Sequence, residues 1–594
     1  MFARCIAGLL LAVALDVPAI EPFFAPAQPS GSVEVRLHPT EGLATGQSRL
    51  VTFGVPFTRG SLTPAALATV RVTTGGVEIP AHVAALTPWR HRSNATIDGA
   101  SIRVVRIQIR PTIQATFPAF DTVTVHWGGA PRTQDVAAFE DPRTAWHLVT
   151  TGSFLASDNV FEPNVFAVLP AALMSEGVLK PSRSTPFDSS NLPARDDPAA
   201  MDAIANWPAF QESERALKNN FYAIINEDDV RVVGNNTSPY RDPNRPVSDP
   251  LGTYREPWLY DRAATMFVLY FRSGSFKALR EAVRATEYYA ARLDGQGFFV
   301  PAAAGDVKYA YNESMAYSRW LTADDTHLQR IANTTLGAAT FAHVWTPARN
   351  FWTERHAAFK LLANVVAYEV HGGVARRDAI NQILADLRTH QDGAGGQVPA
   401  PRIDGGLYHL GSQHDYDWAE AAYGGSGWMS VLLSDAVVRA YASAEDLDSA
   451  RFLARLGNFL HATVVTTEDH SYDTYNGPLA MSRYGTLRDG SDGQINFEDV
   501  EHSLEVGAHL AWADYFARVA GTPDTRLGDM ALTLYETYDA GVNHWIRPGG
   551  PTAGLTAYRV SPWRKWGWEH RTSDGFAFAL RVGGEAPLFA NGFE

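Results

Sequence analysis

Five stretches of this chain gather the residue types that move protons and hold anions. Tyr254 and Arg255 lead into Tyr260; Asn312 precedes Tyr317; Trp352, Arg355 and His356 stand together; His414, Tyr416 and Trp418 follow; Glu498, Glu501 and His502 close the series. Imidazole and phenol groups take up and return protons as general acids and bases. Guanidinium and amide groups hold carboxylates and stabilise developing negative charge. Trp and Tyr present flat apolar faces with a polar edge, which suit sugar rings and helix packing alike. The chemistry these residues predict is proton transfer beside a bound anion.

Each stretch also has a plain structural use. Arg355 and His356 are sequence neighbours, about 100° apart on a helix, and either can cap or pack. Glu498 and His502 are four apart, the spacing of an ordinary helix-surface ion pair, and Glu498 and Glu501 are three apart. Tyr254 and Tyr260 can flank a cleft or fill a core. Trp563, Trp566, Trp568 and His570 can form a ring platform or pack a last helix.

The elements that must position them are helices. From about residue 205 the apolar period is helical, and pairs follow one another across short turns. The predicted pairs are 256–271 with 276–293, 310–321 with 327–345, 352–370 with 375–388, 419–442 with 447–463, and 497–519 with 524–546. Turns at Gly274, Asp324 and Gly373 are about fifty residues apart, the signature of one repeated unit. Residues 205–226 and 563–580 can complete six pairs. No pair buries its own apolar face, so the pairs must stack, as an (α/α)5-6 toroid or an open solenoid. In every pair the leading helix opens with one of the polar stretches. If the leading helices line the inside, their N-termini share one mouth, where partial positive charge favours an anion. Two Gly-rich connections, 391–418 and 468–496, are expected to rise over it.

Before the helices the period is two. Val33–Leu37, Leu50–Phe57, Val70–Thr73, Ile102–Ile109 and Val123–Trp127 read as strands, with a hairpin turn at Gly75 and Gly76, so 31–150 is expected to be a small barrel or sandwich. Residues 151–204 lose that rhythm and read as a linker or wrapping segment, 205–585 as the helical domain, and 586–594 as a tail. Arg4, the apolar run Cys5–Leu15 and the Pro- and Ala-rich stretch after it read as a secretion signal over 1–25, implying a secreted or periplasmic protein. Cys5 is the only cysteine among 594 residues, so the chain after the leader has neither thiol nor disulfide, which removes Cys nucleophiles and thiolate metal sites. A net charge of −14 disfavours nucleic acid, and no segment reads as a membrane span.

The stretch from Leu50 through Gly54, Val55, Pro56 and Phe57 to Arg59, Gly60 and Leu62, the hairpin Gly76–Ala81, and Trp89 followed by Gly99–Val104 together resemble the opening RIFT barrel of exo-rhamnogalacturonan-lyase-like proteins. The resemblance covers about the first quarter of the chain and implies a RIFT-type β-barrel ahead of an (α/α) toroid. It also implies a polysaccharide lyase, acting on an acidic, uronate-containing polymer. The C-terminal β-sandwich of the larger members is not expected within these 594 residues, and no catalytic residue carries over by motif.

A uronate lyase needs a group that neutralises the carboxylate, a base for the C5 proton and an acid for the leaving oxygen. Arg355, His356, His414, Tyr416 and His502 are the candidates for catalysis; Tyr254, Arg255, Tyr260, Asn312, Tyr317, Trp352, Trp418 and Trp568 are those for substrate binding. Two other functions remain open: a glycoside hydrolase using a carboxylate pair drawn from Glu256, Asp261, Glu313, Glu354 and Asp415, and a non-catalytic carbohydrate-binding envelope protein. No metal motif occurs and no cofactor is expected, although Asp415, Asp417 and Asp473 can contribute to a calcium site.

Overall fold

The computed structural model describes residues 20–150, 156–183, 258–301, 305–393, 404–414, 419–472, 475–483, 485–487, 502–546 and 571–583. Tyr254, Arg255, Tyr416, Trp418, Trp568, the aspartates 415, 417 and 473, most of the expected leader and the tail lie outside them.

Alternating residues make the strands. β1 (Gly31–Pro39) sends Val33, Val35 and Leu37 inward and their neighbours to solvent. Next come β2 (Val51–Pro56), β3 (Arg71–Thr74), β4 (Val77–Glu78), β5 (Ala81–Pro88), β6 (Ile102–Ile109) and β7 (Asp121–Trp127). Gly75 and Gly76 both have positive φ, +55° and +82°, as the tight β3–β4 turn requires. Two antiparallel sheets result, one ordered β2–β6–β5 and one five-stranded.

The fifth strand corrects the expected β boundary. β8 (Val165–Val168), within the segment read as linker, pairs with the edge of β1, placing Arg36 opposite Val168. The sheet therefore extends to residue 168. The segment beyond it does wrap: Lys180 and Ser182 are buried against Asp574, near the other end of the chain. Residues near the end of the expected leader are packed: Phe23 is buried against Tyr441, Trp512, Tyr515 and Phe516, and the backbone oxygen of Glu21 accepts from the Tyr515 hydroxyl.

Among the described residues the helices come in five successive hairpins. They are α1 (Arg262–Ser273) with α2 (Phe276–Ala290), α3 (Glu313–Thr322) with α4 (Leu328–Ala339), α5 (Glu354–His371) with α6 (Val374–Gln391), α7 (Gly427–Ala442) with α8 (Leu447–Thr463), and α9 (Ser503–Val519) with α10 (Thr525–Ile546). A last helix, α11 (Phe576–Gly583), packs on α9. The two members of a hairpin differ in burial. α1, α3 and α7 are buried at every position, whereas α4, α6 and α8 bury one stripe. Helices buried all round lie in the interior and striped ones face water. In the second, third and fourth hairpins the leading helix is thus the inner one, whereas α2 of the first hairpin is buried from Ala278 onward like its partner α1. Several start later than the period suggests: Tyr423–Gly425 is a short strand ahead of α7, and α9 begins at Ser503. The connection after α8 is partly a β-hairpin, Val464–Tyr472 with Tyr475–Ser482. Among the described residues no helix is long and apolar enough to cross a membrane.

Charged side chains fasten the sheets to the helices. Buried Arg103 on β6 donates to the carbonyls of Val178 and Leu179 at 2.7 Å, approaches Glu369 of α5 at 3.4 Å, and stacks on Trp89 and Trp320. Arg143 clamps Glu287 of α2 with two bonds of 2.7–2.8 Å. From the helical side, Arg280 and Arg284 of α2 reach buried Glu162. Glu369 also accepts from Arg439, which bonds Glu313; Glu313 accepts from Arg571, and Asp435 lies near both Arg571 and Lys180. With Asp574, this interior chain holds four cations (Arg103, Arg439, Arg571, Lys180) and four carboxylates (Glu369, Glu313, Asp435, Asp574).

Candidate active site

The N-termini of α1, α5, α7 and α9 converge around Arg355. Thr353 caps α5, its hydroxyl accepting from the His356 amide, and this fixes the first turn that carries Arg355. One guanidinium nitrogen of Arg355 donates to the Tyr260 hydroxyl at 3.0 Å, and the other lies 2.9 Å from Nε2 of His414. The guanidinium carbon is 5.5 Å from the centre of the Trp428 ring. His502 stacks on that ring at 5.5 Å with the planes 9° apart, and Tyr260 meets it edge-on. Arg355, His414, His502 and Tyr260 thus join one buried cluster.

Tyr260 and Asp261 are held in unusual backbone. Both have left-handed φ, +69° and +58°, and neither is glycine. Such strain persists only where the surroundings enforce it and collects at functional sites. One Asp261 oxygen accepts from the Ala264 amide and caps α1; the other is buried, and the Ser314 backbone also faces the carboxyl. Burial first, and then the charge of Glu313, push the Asp261 carboxyl up to about 7.

Behind His414 stands His409, their rings 6.1 Å apart and nearly perpendicular. His409 Nδ1 lies 3.4 Å from Glu354, a carboxylate with no exposure. Burial raises the Glu354 carboxyl, but His409 outweighs it and the net movement is downward.

Four candidates fall outside the cluster. The His356 ring turns to the Thr353 hydroxyl at 2.6 Å and toward Asp306 at 3.5 Å, and burial lowers it to about 4, so it is a neutral packing group at neutral pH. Asn312 donates to the carbonyl of Ala363 at 2.8 Å and ties α3 to α5. Tyr317 donates to Glu313 at 2.7 Å inside the ion chain. Trp352 donates to the His343 carbonyl and packs on His390. The structure thus places these four side chains against other partners, apart from Arg355, Tyr260 and His414; His356 is the neighbour of Arg355 that the 100° helical step turns aside.

Trp428, His409 and Glu505 belong to the cluster without having drawn notice in the sequence. Trp428 sits in an apolar helix start and carries no charge signal. Among the described residues no group of three or more His, Asp and Glu side chains is arranged to hold a metal ion. Comparison of the chain with family models, curated proteins and solved structures finds no match.

Proposed function

We propose that this protein is an exported polysaccharide lyase that cleaves a uronate-containing polymer by β-elimination, on an (α/α) toroid preceded by a RIFT-type barrel. The observation that carries this reading is the junction of a guanidinium, a phenol and an imidazole at Arg355, Tyr260 and His414, with a second imidazole, His502, on the adjoining Trp428 face. The successive helical hairpins, and the antiparallel sheets ahead of them, support this choice of architecture.

In the reaction, Arg355 pairs with the uronate carboxylate and draws its charge, so the C5 proton becomes acidic. An imidazole removes that proton. The electron pair forms the C4–C5 double bond, the C4–O bond breaks, and the leaving oxygen takes a proton from Tyr260 or a protonated imidazole. Trp428 offers a flat face for a sugar ring.

One observation favours a glycoside hydrolase instead: Asp261 keeps a proton near neutral pH, as a general acid must. Glu313 is a poor partner for it, because two arginines and Tyr317 outweigh burial and hold that carboxyl at about 2. Incubation with a panel of uronate polymers separates the readings. Elimination leaves an unsaturated sugar that absorbs ultraviolet light; hydrolysis leaves new reducing ends without it; a binding protein leaves the polymer intact.

A further inference from the structure

Glu505 lies one helical turn after His502 in the first turn of α9, and its Oε1 is hydrogen-bonded to Nδ1 of the imidazole. Both side chains are buried. The other Glu505 oxygen is buried with no hydrogen-bond partner among the described residues, so the imidazole is the polar group this carboxylate engages. A helix N-terminus disfavours an imidazolium and favours a carboxylate. A carboxylate there offsets the helix end and gives the ring a partner for a proton on Nδ1.

We infer that Glu505 is a positioning residue for His502: it holds the proton on Nδ1 and so makes Nε2 the basic nitrogen of the ring. The inference rests on the lyase reading for its role in turnover, and on the hydrogen bond alone for the tautomer. Among the described residues, α7 brings the stacked Trp428, which is uncharged, and Arg355 of α5 and Tyr260, ahead of α1, meet the same ring. Deeper along α7 and α9, Asp435 is engaged by Arg571 and Lys180, and His509 by Ser434 and the Thr572 carbonyl. Of these, Glu505 is the carboxylate in contact with the ring.

The test is histidine-selective nitrogen-15 NMR on the full chain, with the His502 signal assigned by its loss in His502→Gln. In the wild type we expect neutral His502 to be protonated at Nδ1. In Glu505→Gln its titration midpoint should move to lower pH by about one unit, and Glu505→Asp should restore part of the shift. On a cleaved uronate polymer, Glu505→Gln should lower kcat about tenfold or more with little change in KM, and move the acid limb of the pH profile the same way. A wild-type ring protonated at Nε2, or an unmoved midpoint, overturns the inference, and the wild-type measurement stands even if the variant fails to fold. A shifted midpoint in a protein that cleaves no uronate polymer supports the positioning role and overturns the lyase reading.

Discussion

Arg355 joins three of the elements that meet at the cluster, and its substitution has a sharp consequence. Arg355→Ala should lower kcat/KM on the cleaved polymer by about 10²–10³-fold, the usual loss when a charge-stabilising donor is removed; initial rates of ultraviolet absorbance check this. Arg355→Lys should recover little, because an ammonium lacks the planar fork that meets Tyr260 and His414 together. Asp261 yields a prediction about stability. Its folded carboxyl is raised from 3.8 to about 7, so the folded protein binds this proton more tightly than the unfolded chain does. The contribution is fully present below pH 4, declines as pH rises toward 7, and is absent above. Asp261→Asn keeps an acceptor for the Ala264 amide and carries no charge. It should raise Tm at pH 8 by several degrees relative to wild type and change it less at pH 5, as seen by calorimetry at the two pH values.

Between elements, close approach decides tolerance. Gly54 on β2 lies against the end of α3, where an added Cβ would come within 1.8 Å of the Trp320 carbonyl oxygen. That oxygen belongs to helix backbone and cannot swing aside. Gly54→Ala should cost about 1–3 kcal/mol or more, read from urea unfolding. The period of apolar residues made the hairpins legible, and α8 runs over the predicted Leu447–Thr463. The helix starts were less so. Polar aromatic runs such as Tyr309–Asn312 continue the helical pattern in sequence, yet they form entry loops, because their side chains bond across elements rather than along one helix: the Tyr260 amide donates to the Tyr311 hydroxyl, for example. Arg355 and His414 stood out in the sequence as residue types suited to the proposed chemistry. Trp428 and His409 were not, since an uncharged ring in an apolar run and a histidine in a short strand gain meaning only from what lies beside them in space.

For the molecule as a whole, the sheets and helices share one electrostatic interior. Arg103 joins β6, the wrapping segment and α5, and its removal would leave Glu369 with Arg439 as its main counter-charge. Arg103→Met should destabilise the protein by about 3–5 kcal/mol, visible as a lowered midpoint in calorimetric or urea unfolding. None of these pairs was readable from the sequence, because partners such as Arg103 and Glu369 are hundreds of positions apart and charge alone does not announce pairing. The presence of both strands and helices was readable, although β8 lay hidden in a segment too short and too Pro-flanked to show a period. The most direct measurement of the account is product analysis of wild-type protein and Arg355→Ala on uronate polymers. The wild type should release unsaturated oligosaccharides and the variant almost none; reducing ends without unsaturation, or equal turnover by both proteins, would contradict it.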